Sequence, residues 1–62
     1  MKKLVYKGSV DFFKGKTYDV INVIHNGEPI GNGEVNNSGD DMYVCRYIDQ
    51  TWIFRADEIE LL

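Results

Sequence analysis

The sequence is poor in the residues that cross-link small domains. Its 62 residues include one cysteine, one histidine and one proline. Cys45 has no second cysteine with which to form an internal disulfide, and no Cys and His cluster exists to hold zinc. We therefore expect no metal and no cofactor. A lone cysteine is typical of a reducing compartment, so the sequence predicts a cytoplasmic protein.

Long apolar runs are also missing. Lys7 and Asp11 interrupt the opening MKKLVYKGSVDFF, which excludes a signal peptide or a membrane span there and predicts no membrane association. We expect one domain over residues 1–62. A chain this short buries only about 60% of its unfolded surface, so its stability should be roughly 3 to 5 kcal/mol.

Residues that could support catalysis are scattered. No serine, cysteine or carboxylate is tied to His25 by a known motif, and Asp40-Asp41 lacks the ligand spacing of a calcium loop. The alternation around Cys45 places this thiol among aromatic residues, where it serves as a small buried hydrophobe. We therefore predict that the protein is not an enzyme.

The charge is divided along the chain. Five lysines face one acid up to Lys16, and from Thr17 onward two arginines face nine acids, within a net charge of −3. A net acidic domain argues against nonspecific nucleic-acid binding. An alternative uses the lysines with Tyr6, Phe12 or Phe13 as stacking groups. The lysines concerned are Lys2, Lys3, Lys7, Lys14 and Lys16.

The apolar pattern predicts strands. KKLVYKG alternates as a first strand, and TYDVINVIH is a β-branched run that ends at Asn26-Gly27, a strong hairpin signal. We expect EPIGNGEV to pair back poorly, as an edge or an irregular excursion, because Pro29 and two glycines weaken it. NNSGDD is typical of a loop. Of the neighbours Phe12 and Phe13, one should pack under the first loop and the other remain exposed.

MYVCRYI and TWIFR predict the central hairpin, with a turn at Asp49-Gln50 that pairs Tyr47 with Trp52. Alternation then divides its residues between two faces. The uncharged face, which is the better core, carries Tyr43, Cys45, Tyr47, Trp52 and Phe54. The opposite face carries Val44, Arg46, Ile48, Ile53 and Arg55, and is either an apolar strip with a cationic rim or partly buried by curvature.

The ending ADEIELL is compatible with a helix or a strand. We predict one helical turn at Ala56–Glu58 and a short strand over Ile59–Leu62 that closes a barrel.

The order of GKTYDVI, MYVCRY, a tight turn and WIFRADEIELL resembles the SH3-like barrels. It is also similar to short proteins of phages and prophages of Gram-positive bacteria. The resemblance implies an all-β barrel of five or six antiparallel strands with a 3-10 turn before the last strand. The loop GSVDFFKGK, the strand start DMYV and the turn FRADEI depart from the aromatic groove of peptide-binding SH3 domains, so recognition of polyproline is not implied.

These observations predict a noncatalytic protein-binding module, such as a phage or prophage accessory protein that modulates a host factor. Its partner is an unknown protein that docks on Val44, Arg46, Ile48, Ile53 and Arg55. One alternative is the nucleic-acid-associated barrel that uses the N-terminal lysines. Another is a structural or oligomeric subunit, in which a second copy of the chain is the partner.

Overall fold

The computed structural model describes residues 2–62; Met1, the first residue of the predicted domain 1–62, lies outside the described residues. The strands are β1 (Lys3–Tyr6), β2 (Thr17–Ile24), β3 (Pro29–Gly31), β4 (Glu34–Val35), β5 (Met42–Tyr47), β6 (Gln50–Arg55) and β7 (Ile59–Leu61), with 3-10 turns at Asp11–Phe13 and Ala56–Glu58. The all-β prediction is confirmed, and residues 2–62 contain no α-helix. The predicted turn at Ala56–Glu58 and the strand after it are also confirmed.

Five strands form one antiparallel sheet in the order β6-β5-β2-β1-β7, and β3 and β4 form a separate two-stranded sheet. Strand β2 is long because it serves both halves of the main sheet: its first residues pair with β1 and the rest with β5. The register shifts between Val20 and Asn22, where a bulge adds twist. Strands β6 and β7 are the sheet edges, so the sheet is open.

The central hairpin turns one residue earlier than the sequence indicated. Tyr47 pairs with Gln50 and Cys45 pairs with Trp52, so the turn is Ile48-Asp49. The predicted Asp49-Gln50 turn and the pairing of Tyr47 with Trp52 are wrong. The two faces are nevertheless unchanged, because moving the turn by one residue shifts each cross-strand partner by two positions. A shift of two preserves the alternation of side chains, whereas a shift of one would reverse it.

The predicted hairpin at Asn26-Gly27 is also wrong. Strand β2 pairs with β5, and the intervening chain makes its own short hairpin, in which β3 pairs with β4. That hairpin turns at Asn32-Gly33, where both residues have positive φ (53° and 78°), as a type I′ turn requires. The segment EPIGNGEV therefore does not pair back on β2 as expected, but folds on itself as a separate two-stranded sheet.

The core lies on the predicted aromatic face. Cys45 and Phe54 are buried there, while Tyr43, Tyr47 and Trp52 are partly buried against them. The remaining residues of this core cluster come from β1, β2 and β7: Leu4, Tyr6, Tyr18 and Ile59. Ile24, at the end of β2, is buried outside this cluster. The assignment of this face to the interior is therefore confirmed, as is the burial of Cys45.

Candidate functional site

The outer face of the central hairpin carries four of the five predicted protein-binding residues. We call Val44, Arg46, Ile53 and Arg55 the outer strip. Val44 and Ile53 are paired directly across β5 and β6, and Ile53 is 46% exposed while Val44 is half-buried. The exposed Arg46 and Arg55 lie toward opposite ends of this pair, and Arg55 Nε is 3.9 Å from Asp57 Oδ1. The outer strip is thus a small apolar centre between two cations.

Ile48, the fifth predicted residue, lies at the tip of the hairpin and not on a strand. It is 80% exposed and its φ is 58°. A β-branched residue in the left-handed region is a conformational outlier, with a steric penalty of about 1 to 2 kcal/mol. Ile48 is therefore strained and exposed, and the structure separates it from the outer strip.

Four of the five N-terminal lysines contact an oxygen atom elsewhere in the chain. Lys3 Nζ lies 2.7 Å from Asp19 Oδ1, Lys7 Nζ lies 4.0 Å from Glu60 Oε1, and Lys14 Nζ lies 3.4 Å from Asp11 Oδ1. Lys16 Nζ donates to the carbonyl oxygen of Phe12 (2.6 Å), and Lys2 is exposed. Because three of the five cations face carboxylates on different elements, they offer a weak surface for phosphate.

The loop between β1 and β2 places the exposed Phe12 beside Trp52, a contact that the sequence did not reveal. Phe12 is 59% exposed, and its ring lies 5.8 Å from that of Trp52, edge to face. Lys16 Nζ lies 4.1 Å from the Phe12 centroid and 5.6 Å from that of Tyr47. We call Phe12, Lys16, Tyr47 and Trp52 the aromatic patch.

Phe13 anchors the aromatic patch from below. Its ring lies 5.0 Å from those of Trp52 and Phe54 and 5.3 Å from that of Tyr6. Of the neighbouring phenylalanines, one therefore packs inward and the other remains exposed, as predicted. Trp52 belongs to both the core and the surface, because it packs on Phe13 and also contacts the exposed Phe12.

Asn36 organises the loop between β4 and β5, which composition alone had marked as a loop. Its side chain is fully buried. Nδ2 donates to the carbonyl oxygens of Ile24 (2.9 Å) and Asp40 (2.8 Å), while Oδ1 accepts from the N–H (3.1 Å) and hydroxyl (2.7 Å) of Ser38. The spacing of Asn36 and Ser38 is that of an Asx turn, the one local signal in the sequence for this role.

A small cleft of about 80 Å³ lies between this loop and the second 3-10 turn. It is lined by Ser38, Asp40, Arg55, Ala56 and Asp57. Small-molecule sites usually occupy about 300 to 1,000 Å³. The volume of this cleft therefore lies below that range.

The side chains of Cys45 and His25 both have raised pKa values, for different reasons. Burial raises the pKa of the Cys45 thiol to about 11, which disfavours the nucleophilic thiolate at neutral pH. His25 Nδ1 lies 2.9 Å from Asp41 Oδ1, and this hydrogen bond raises the pKa of His25. Within residues 2–62, no three His, Cys, Asp or Glu side chains are grouped to hold a metal ion.

No family model matches the chain, and no curated protein or solved structure shows significant similarity to it. The part of the chain that the structure describes has no helix of the length and apolarity needed to cross a bilayer. The functional assignment of the outer strip and the aromatic patch therefore depends on the geometry of their residues alone.

Proposed function

We propose that the protein is a small SH3-like barrel that acts as a noncatalytic protein-binding module. Support for the barrel comes from the two edge strands, β6 and β7, which are joined by the three-residue turn Ala56–Glu58. In a flat five-stranded sheet the edges would be four strand spacings apart, roughly 19 Å. Three residues in a 3-10 turn rise only about 6 Å. The sheet must therefore curl strongly, bringing its edges toward each other where β6 ends.

Protein binding is supported above all by the exposure of Ile53 in the outer strip. An isoleucine that remains 46% exposed beside Val44, with an arginine toward each end of the pair, has the composition of an interface centre and rim. Isolated exposed apolar residues are common, but here the register places the half-buried Val44 beside the exposed Ile53 on one face. A partner that covers this face would remove both from water.

The noncatalytic part of the proposal is supported by the chemistry of the titratable groups. Cys45 is a buried thiol with a raised pKa, and the partner of His25 is a carboxylate and not a nucleophile. The cleft beside Asp40 is too small for a substrate. We further propose a cytoplasmic role, because a single buried cysteine suits a reducing compartment.

The resemblance to short phage and prophage proteins motivates the biological setting that we propose, an accessory protein that modulates a host factor. Nucleic-acid binding is the weaker alternative, because carboxylates lie within 4.0 Å of Lys3, Lys7 and Lys14.

The test is an Ile53→Asp substitution, with Val10→Asp as the matched control. Val10 is also 46% exposed but lies in the loop before the first 3-10 turn. We expect immobilised wild-type protein and Val10→Asp to capture the same host protein and Ile53→Asp to lose it. Removing a half-exposed isoleucine should destabilise the fold by about 1 to 2 kcal/mol, so all three should be folded by circular dichroism.

Two results would contradict the proposal. If Ile53→Asp unfolds the chain, the outer strip is part of the core. If the folded variant captures the host protein as well as wild type does, binding takes place on another surface.

A further inference from the structure

Strand β6 is an edge with exposed backbone groups. Its closing pair with β5 is Tyr47 and Gln50, and hydrogen-bonded and non-hydrogen-bonded pairs alternate along an antiparallel ladder that starts from a two-residue turn. The backbone groups of Thr51, Ile53 and Arg55 therefore point away from β5. The N–H of Arg55 donates to Glu58 Oε2 at 3.5 Å. Within residues 2–62, the outward-pointing backbone groups of Thr51 and Ile53 have no hydrogen-bond partner on any element.

This edge lacks the features that usually keep sheet edges from pairing. Exposed edges are commonly protected by lysine, proline, a bulge or short length. Strand β6 has six residues, QTWIFR, with no lysine or proline, and its pairing with β5 is regular throughout. The half-exposed Ile53 lies at its centre. Such a strand is suited to pair with another strand.

We propose that a second copy of the chain covers this edge, with the two β6 strands antiparallel about a two-fold axis at Trp52. This inference concerns the backbone edge of β6, whereas the host partner proposed above would cover the outer face of the hairpin; Ile53 and Arg55 belong to both. Edge-facing residues must pair with edge-facing residues, and Thr51, Ile53 and Arg55 allow five registers. Arg55 facing its own counterpart is repulsive, and Ile53 facing the partner's Arg55 joins no opposite charges. In the other three registers, Thr51 faces the partner's Thr51 or the partner's Ile53, or Ile53 faces its own counterpart, and charge distinguishes them.

Only the register that pairs Thr51 with the partner's Ile53 is complementary in charge. It places Asp49 opposite the partner's Arg55, and by symmetry this pair occurs twice. The register that pairs Ile53 with itself would place Asp49 opposite the partner's Asp57, and the register that pairs Thr51 with itself would place Asp49 opposite the partner's Ile53. The complementary register is therefore favoured.

The same register brings the aromatic patches of the two copies together at the two-fold axis. Trp52 then faces the partner's Trp52 in a non-hydrogen-bonded pair, where side chains are closest, with Cα atoms about 4.5 Å apart. Phe12 lies edge to face on Trp52 at 5.8 Å in each copy and is 59% exposed in the single chain. Two patches would thus meet at the axis and give Phe12 a neighbouring apolar surface.

Charge reversal tests the pairing directly. Sedimentation of the wild-type chain from micromolar to millimolar concentrations should show a monomer–dimer equilibrium. Asp49→Arg and Arg55→Asp should each weaken it at least about tenfold, because each exchanges two attractive pairs for two repulsive ones. An equimolar mixture of the two variants should restore dimers, since both cross-strand pairs of the mixed dimer again join opposite charges. Glu34→Arg is the control, because it reverses an exposed charge in the separate β3-β4 sheet, and it should leave the equilibrium unchanged.

Amide exchange of the wild type provides a second measurement that needs no variant. The N–H groups of Thr51 and Ile53 should exchange more slowly as the concentration rises. A monomer throughout the concentration range would overturn the proposal. So would dimers that are insensitive to both single reversals, or variants that fail to associate when mixed although both are folded, because either result would place the contact elsewhere.

Discussion

Replacing Asn36 with alanine should remove much of the stability of the fold. The side chain joins three parts of the chain: the end of β2 through Ile24, the loop through Ser38 and the approach to β5 through Asp40. Its own backbone adds two further bonds, since its N–H donates to Glu28 O (2.8 Å) and its carbonyl accepts from Gly27 N–H (2.7 Å). Alanine keeps those backbone bonds and deletes every side-chain bond.

The size of the effect follows from which bonds are buried. The two bonds from Nδ2 end on the carbonyl oxygens of Ile24 and Asp40, and both bonds are lost when Asn36 is truncated. Each such loss costs about 1 to 1.5 kcal/mol. The two bonds from Ser38 contribute less, because its hydroxyl can donate to Asp40 O, 3.0 Å away, in place of Asn36 Oδ1. We expect a total loss of about 2 to 3 kcal/mol, out of a stability of roughly 3 to 5 kcal/mol.

Thermal unfolding followed by circular dichroism measures this loss. One kcal/mol corresponds to about 4 to 8 °C in a domain of this size, so Asn36→Ala should lower Tm by roughly 10 to 20 °C. The control is Asn37→Ala, because Asn37 is the exposed neighbour, and it should shift Tm by only a few degrees. A shift for Asn36→Ala no larger than that of the control would refute the assigned role of the buried amide.

Two further predictions concern the hairpin tip and the histidine. Ile48→Asn should stabilise the fold by about 0.5 to 1 kcal/mol in urea unfolding, since asparagine tolerates the positive φ that isoleucine does not; a loss of stability would mean that Ile48 makes contacts that outweigh its strain. The pKa of His25 is raised, first by the hydrogen bond to Asp41 and then by the charges of Asp41 and Glu28. Its contribution to stability is therefore complete below its unfolded pKa of about 6.5 and lost as the pH rises through the higher folded value. His25→Gln should flatten the stability profile above that pH, and an unchanged profile would contradict this origin.

The interior face of the central hairpin was predictable, although its register was not. Alternation places Cys45 and Phe54 on the same face for any register that differs by an even number of residues. Predicting which face is buried therefore does not require the exact register. The position of the turn was harder to predict. Neither candidate turn, Asp49-Gln50 or Ile48-Asp49, contains a glycine or asparagine that would favour positive φ. In the register that the structure adopts, Cys45 pairs with Trp52 and Ile48 takes a strained positive φ. Packing of the long strands thus outweighs the preference of the turn.

The error at Asn26-Gly27 has a similar origin. The sequence contains two Asn-Gly pairs, and the type I′ hairpin forms at Asn32-Gly33. Pairing β2 with the segment after Asn26 would have matched a strong strand with one that contains Pro29. Pairing it with β5 places Val20 opposite the fully buried Cys45 and extends the ladder to Ile24 and Met42. Long-range burial therefore overrides the local hairpin signal.

Four residues of the outer strip followed from alternation, but the aromatic patch could not be derived in the same way. Its members come from the first loop and from both strands of the central hairpin, and only the folded loop brings Phe12 to Trp52. In so small a core, Trp52 must pack on Phe13 and also form part of the surface at the β6 edge.

Truncating Trp52 would therefore disturb the stability of the fold and the proposed association of two chains together. The charges of Asp49 and Arg55 are exposed on the hairpin, so reversing them can separate association from folding where a core substitution cannot.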